Sequence, residues 1–368
     1  MNTVKIWAHE GFCVEKNTVW FVPLSSGILC GYDTTSSKLT FVKILCDNIY
    51  DIDRFYNTIK IENYIVTVPS FDDTVKIYDI KKDVIYDYKL TNTAFGNHYM
   101  ATVYNNTVLV FPFNSISMVK ISISDDKPVF EEIELNENGF VSCIQLNKKI
   151  YLLKKNNGIY TYDNDKISPI ASADSNIMFT DMALIDEDKL LLLDNAGRFF
   201  VFSISKREIV KLFDSNTSYY SIAIRDGFVY AFPNKSGDFF DKYNIENMKL
   251  CERYAVKQNA TNDAWPWDAY SKAIVCDGKI YVMNIFHQCL MRIDENDAIT
   301  YYSIDYPDVG EDVKANSLKH EMEKGFLTES SMTGIDLPFF VSLLRTTEKF
   351  YSEESHANPK SIDYHTCL

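Results

Sequence analysis

The chain has 368 residues, 46% of them hydrophobic and 14% aromatic, which is ample material for a continuous core. Only 13 glycines and 10 prolines occur, which excludes a collagen-like or low-complexity chain. The 37 basic and 51 acidic residues leave a net charge of −14, which repels phosphate backbones and anionic membrane surfaces and argues against both as partners.

No apolar run approaches the roughly 20 residues of a membrane span. The first ten residues, Met1 to Glu10, lack the long apolar stretch of a signal peptide, so a cytoplasmic protein is expected. Eight cysteines stand at irregular spacings with no Cys-x-x-Cys pair. Cys13, Cys30, Cys143, Cys276 and Cys289 fall in predicted strands, where free thiols act as small hydrophobes rather than as disulfide or zinc partners.

In chain order, short apolar strands recur at 19–23, 64–69, 108–112, 150–154, 190–194, 228–233 and 280–284, several of them ending on Pro23, Pro69, Pro112 or Pro233. About ten residues after each strand comes Tyr32-Asp33, Tyr78-Asp79, Ile121-Ser122, Tyr162-Asp163, Phe202-Ser203, Tyr243-Asn244 or Ile293-Asp294. A strand-built period of about forty residues predicts a β-propeller, here all-β with seven blades of four strands. In the second blade the strands are expected at 58–61, 64–68, 74–78 and 84–88, from the axis outward. The Asp or Asn that follows Tyr32, Tyr78, Tyr162, Tyr243 and Ile293 is expected to accept backbone N–H bonds in the turn to the outer strand. Trp20 lies mid-strand and is expected to be buried between blades. Residues 4–7 are a candidate extra outer strand for blade seven.

The last repeat is lengthened by an insertion at 257–267, and the pattern stops after Tyr306. A propeller domain over 1–306 is therefore expected, followed by a C-terminal segment over 307–368. There Asp336 is a helix N-cap with Pro338 in the first turn. Leu337, Phe340, Val341 and Leu344 then form one apolar stripe, so this α-helical extension is expected to pack on the propeller.

In repeat length and strand pattern, residues 10–306 resemble kelch-like and related bacterial seven-bladed propellers, although the Gly-Gly pair of kelch repeats and the Gly-His to Trp-Asp signature are absent. The resemblance implies a ligand face built from two loop sets, those joining one blade to the next and those joining second and third strands. On that face the run Asn262-Asp263-Ala264-Trp265-Pro266-Trp267-Asp268 with Tyr270 is the most unusual. Exposed indoles beside carboxylates suit a sugar ring or a peptide side chain. Trp265 is the preferred contact, with Trp267, Asp268, Tyr270, Phe286, Asp72, Asn114 and Asn195 around it. Either Trp267 or Tyr270 is expected instead to wedge between blades, in the slot that Phe55, Tyr99, Phe140 and Phe179 fill elsewhere. His9, His98 and His287 fall in loops of the same face, where an axis could gather them around a divalent metal.

Two functions are expected from these residues. The first is a non-catalytic binding or scaffold propeller, without a cofactor, that holds a peptide, protein or glycan on an aromatic, acidic top face. The alternative is a metal-dependent lyase or oxidase centred on the histidines. No phosphate-binding glycine loop, Gly-x-Ser-x-Gly elbow or His-Glu-x-x-His motif is present.

Overall fold

Short apolar strands separated by two-residue turns pair with their sequence neighbours, because each turn returns the chain directly alongside the strand just made. The computed structural model describes residues 8–23, 27–46, 55–70, 73–91, 98–156, 158–256, 269–287 and 289–304, without the side chains of 8–10 and 98–99. These residues form seven four-stranded antiparallel sheets, each from four consecutive strands. The first sheet runs Ala8–Glu15, Thr18–Pro23, Ile28–Asp33 and Lys38–Ile44, and the seventh Ile274–Cys276, Lys279–Asn284, Cys289–Ile293 and Ile299–Ser303. Turns from first to second strand use residues that tolerate left-handed backbone, such as Asn105-Asn106 (φ 48° and 57°) and Asp226-Gly227 (φ 51° and 77°).

The first strand of every sheet touches the first strand of the next, and that of the seventh touches that of the first. The protein is a seven-bladed β-propeller, with the proline-ended strands second from the axis. Seven apolar clusters fill the seven seams between consecutive blades. Trp20 is 8% exposed and packs in the seam of blades one and two, edge-on to Phe41 at 5.3 Å. Blades seven and one close the ring through a shared apolar cluster in which Tyr281, Met283, Leu290 and Tyr302 meet Phe12, Phe21, Ile28 and Tyr32.

The inner strands begin earlier than the sequence pattern indicated. In blade two the inner strand is Phe55–Ile61, because a one-residue bulge follows its first residue: Phe55 pairs with Pro69, but Asn57 pairs with Val68. The same bulge recurs between Phe140 and Ser142, Phe179 and Asp181, and Tyr219 and Ser221. It breaks the strict alternation on which strand recognition depends. In blade three it also corrects the expected slot. His98 pairs with Pro112 and Met100 with Phe111, so His98 holds the position of Phe55 and Tyr99 is the bulged residue.

The expected turn chemistry is present in four of the five Asp or Asn turns; Asp163, followed by the two-residue turn Asn164-Asp165, accepts no such bond. Asp33, Asp79, Asn244 and Asp294 each accept backbone N–H bonds from the turn that follows. The third-to-outer turns also carry left-handed residues: Ser37, Asp83, Arg207, Met248 and Asp297 singly, and the pairs Asp125-Asp126 and Asn164-Asp165. Several tie their blade to the one before it. Asp83 accepts from Lys43, Asp165 from Lys120, and Asp297 from both Arg225 and Lys242, while the Asp126 carbonyl accepts from Tyr64 and Lys82. Residues 4–7 and the segment from Asp336 lie outside the described residues; no helix occurs among those described.

No disulfide forms among the described cysteines. Burial pushes the Cys13 and Cys143 thiols up to about 12 and also raises Cys30, whereas Cys251 is exposed on an outer strand. Since the thiolate is the reactive form, a thiol reagent at pH 7.5 should label Cys251 within minutes. Cys13, Cys30 and Cys143 should react only after denaturation. Peptide mapping by mass spectrometry checks this, and rapid native labelling of Cys30 would contradict the closed seam between blades seven and one.

Candidate functional site

The bulge places one residue per blade at the same height beside the axis: Gly11, Asn57, Met100, Ser142, Asp181, Ser221 and Lys272, by strand register. Across blades four to seven these residues form a continuous polar belt. The buried Asp181 carboxylate accepts from the Ser142 hydroxyl at 3.1 Å, the Ser221 hydroxyl at 2.9 Å and the Ile222 N–H at 2.9 Å. Ser221 in turn accepts the Ala273 N–H at 2.8 Å. Lys272 donates to the Thr180 and Tyr220 carbonyls and lies 3.6 Å from Asp181.

Above the belt, the Lys272 ammonium sits 4.4 Å from the centre of the Tyr220 ring. The Tyr220 hydroxyl meets that of Tyr56, from blade two, at 3.3 Å. Two phenols thus meet across the centre of this end of the ring, over a lysine and an aspartate held by several blades. At Gly11 an added Cβ would lie 2.1 Å from Asn57 Cα, so blade one approaches blade two too closely there for any side chain.

A second cluster lies on the same face between blades six and seven. Tyr270 is fully buried and pairs with Asn284, as Phe179 pairs with Asp194, so it fills the wedge slot of blade seven. Its hydroxyl donates to the Gly237 and Phe239 carbonyls at 2.8 and 2.9 Å. The Asn284 side chain accepts the His287 N–H at 2.8 Å and donates to the Gly237 carbonyl at 2.8 Å. A Cβ on Gly237 would lie 2.5 Å from Phe286 Cβ, so glycine is required for this approach. His287 is buried, with Nε2 3.2 Å from an oxygen of Asp238 and Nδ1 without a partner. A carboxylate only accepts, so Nε2 is the donor in this contact. Phe286, half-buried, stands edge-on to the imidazole at 5.1 Å.

The residues singled out in the sequence divide accordingly. Tyr270, Phe286 and His287 come together, with Tyr270 as the wedge. Asn114 and Asn195 are exposed in the second-to-third-strand loops of blades three and five, Asn195 donating to Met178 Sδ at 3.7 Å. Trp265, Trp267, Asp268 and Asp72 lie outside the described residues, as do the side chains of His9 and His98. Among the described residues no three metal-binding side chains cluster. The belt itself was missed. Its seven positions hold six different residue types and stand about forty residues apart. Aligning the repeats and reading the residue two places after the wedge slot would have found it in blades two to seven.

No protein-family model and no curated protein sequence matches this chain. Among solved structures it is similar to streptogramin B lyase, with a TM-score of 0.60 and 12% identity, covering 82% of this chain and 95% of that one. The likeness is one of fold. A computationally designed protein, Ika8 (TM-score 0.49, 10% identity, 83% of this chain and 98% of that one), also matches. So does apo AztD from Citrobacter koseri (TM-score 0.49, 13% identity, 80% and 86%).

Proposed function

We propose that this propeller is a non-catalytic binding or scaffold protein that holds a peptide, protein or glycan over the face where Tyr56 and Tyr220 meet. One observation carries this reading: the axial carboxylate and ammonium are taken up by the protein itself. Asp181 accepts three hydrogen bonds and Lys272 donates to two carbonyls, so both join inner strands. Recognition then falls to the surrounding rim, with Phe286, Asn114 and Asn195 joined by Asp72, Trp265, Trp267 and Asp268. In this reading the chain is of the kelch-like type, and its Leu337, Phe340, Val341 and Leu344 stripe packs a helix on the propeller. It works in the cytoplasm without a cofactor, and its net charge of −14 disfavours nucleic-acid and membrane partners.

Peptide and glycan arrays probed with the purified protein test this proposal. Trp265→Ala should weaken binding to the strongest array ligand by at least about 2 kcal/mol, roughly thirtyfold, as loss of a hot-spot aromatic does. Val210→Ala, on the outer strand of blade five, should leave it unchanged. Equal binding by Trp265→Ala and the parent protein would remove Trp265 from the site.

The second reading, a metal-dependent lyase or oxidase, is favoured by the unpartnered Nδ1 of His287 and the carboxylate that orients its ring. It requires His9 and His98 to join His287 at a divalent metal. Elemental analysis separates the two readings. One equivalent of a transition metal, lost in His287→Ala, would replace the binding proposal with the enzymatic one.

A further inference from the structure

Two of the cations that tie one blade to the next share a register. Lys120 and Lys242 each pair with the third residue of the second strand, Leu109 or Tyr230, and each reaches a left-handed aspartate in the following blade's turn, Asp165 or Asp297. Arg292 occupies the same position in blade seven, two residues before Asp294. Its neighbours on that side of the sheet, Tyr281, Leu290 and Tyr302, pack on blade one, whose left-handed turn residue is Ser37. The carboxylate of Asp33 in that turn is occupied by the Thr35 N–H and the Ser36 hydroxyl. Arg198, Arg225 and Arg253 each grip an aspartate. Arg292 does not. Its guanidinium stands 5.5 Å from the Tyr302 ring centre and donates to Thr300 Oγ1 at 3.3 Å, while its buried Nε has no hydrogen-bond partner. The Tyr302 hydroxyl, on a side chain 3% exposed, has only the Thr300 side chain beside it as a partner. Buried donors without acceptors are rare enough in proteins to require an explanation.

We infer that the seam between blades seven and one binds a small oxyanion, a phosphate or a carboxylate, through the Arg292 guanidinium with Thr300 and Tyr302 beside it. The planar fork of N–H groups matches either anion in bidentate fashion. The oxyanion takes the place that Asp165 and Asp297 hold in their own seams. This site is separate from the binding face proposed above and does not depend on it.

Thermal unfolding of the full chain at constant ionic strength, in chloride, phosphate or acetate, tests the inference. Saturating phosphate or acetate should raise the midpoint by about 2–4 °C over chloride, and the more effective anion identifies the ligand class. Arg292→Gln should abolish the rise. Ser37→Asp should supply the missing carboxylate from within the chain, since aspartate tolerates the φ of 54° found there. That variant should be more stable in chloride and should no longer respond to either anion. An absent response in the parent protein would overturn the inference. So would equal responses in the parent and Arg292→Gln, which mean an adventitious ion only, or an unchanged anion response in Ser37→Asp.

Discussion

Asp181→Ala is expected to destabilise the propeller by about 3–5 kcal/mol, the cost typical of leaving one member of a buried ion pair alone. The substitution strands the Lys272 ammonium, which is largely enclosed, and takes the acceptor from Ser142, Ser221 and the Ile222 N–H. Four blades contribute to this belt, so the loss is felt around half the ring rather than at one hairpin. Ser142→Ala removes a single donor and should cost only about 1 kcal/mol. Denaturant unfolding followed by far-UV circular dichroism checks both. An Asp181→Ala midpoint indistinguishable from that of Ser142→Ala would show that the belt is not what joins blades four to seven. The same comparison bears on the proposed function, because a catalytic aspartate can often be removed with little loss of stability, whereas one that joins blades cannot.

Asp297→Ala should be comparably damaging, by about 3 kcal/mol or more, through the seam of blades six and seven. Asp297 accepts from Arg225, Lys242, Tyr230 and Tyr254, and the Arg225 side chain is buried. Arg225 also donates to the Gly278 and Ile293 carbonyls of blade seven, so it would stay in place as a buried cation without its anion. Burial pushes the Asp297 carboxyl up, but hydrogen bonds from Lys242 and Tyr230 outweigh this and hold it below the usual carboxylate value. A carboxyl lowered in the folded state binds fewer protons than in the unfolded chain. Its stabilisation is therefore complete above the unfolded value of about 3.9 and is lost as pH falls through the folded value. Unfolding midpoints of the parent protein should decline on acidification below about pH 4. Asp297→Asn should show a shallower decline than the parent over the same range, since Asp165 and Asp83, also lowered, remain in both. Identical acid limbs would mean that Asp297 does not link folding to protons.

The seven-bladed architecture was legible because its causes are local. Alternating apolar residues make a strand, and paired turn residues such as Asn105-Asn106 or Asp226-Gly227 accept left-handed backbone and fold it back on itself. Asp79 or Asn244 then caps the next turn with its own side chain. Each of these steps involves residues within about ten positions of one another, and repetition fixed the number of blades. Trp20 was recognisable as a seam residue for the same reason, since a large apolar side chain at mid-strand has only the neighbouring blade to cover it.

What the tertiary structure alone decided is what meets at the axis and across the seams. The bulge that moves Tyr99 out of the wedge slot and raises Asp181, Ser221 and Lys272 to one level leaves no signature in the alternation pattern, because it consists of one residue that breaks it. Tyr56 and Tyr220 are 164 positions apart in the chain and touch only because the ring closes. The aspartate that Lys242 reaches lies 55 positions ahead, and the one that Arg292 lacks would have to come from the opposite end of the sequence. The sequence thus determined which residues become strands and turns, through short-range backbone preference. Closure of the ring determined which side chains become partners, because contact across a seam depends on long-range packing that no local pattern encodes.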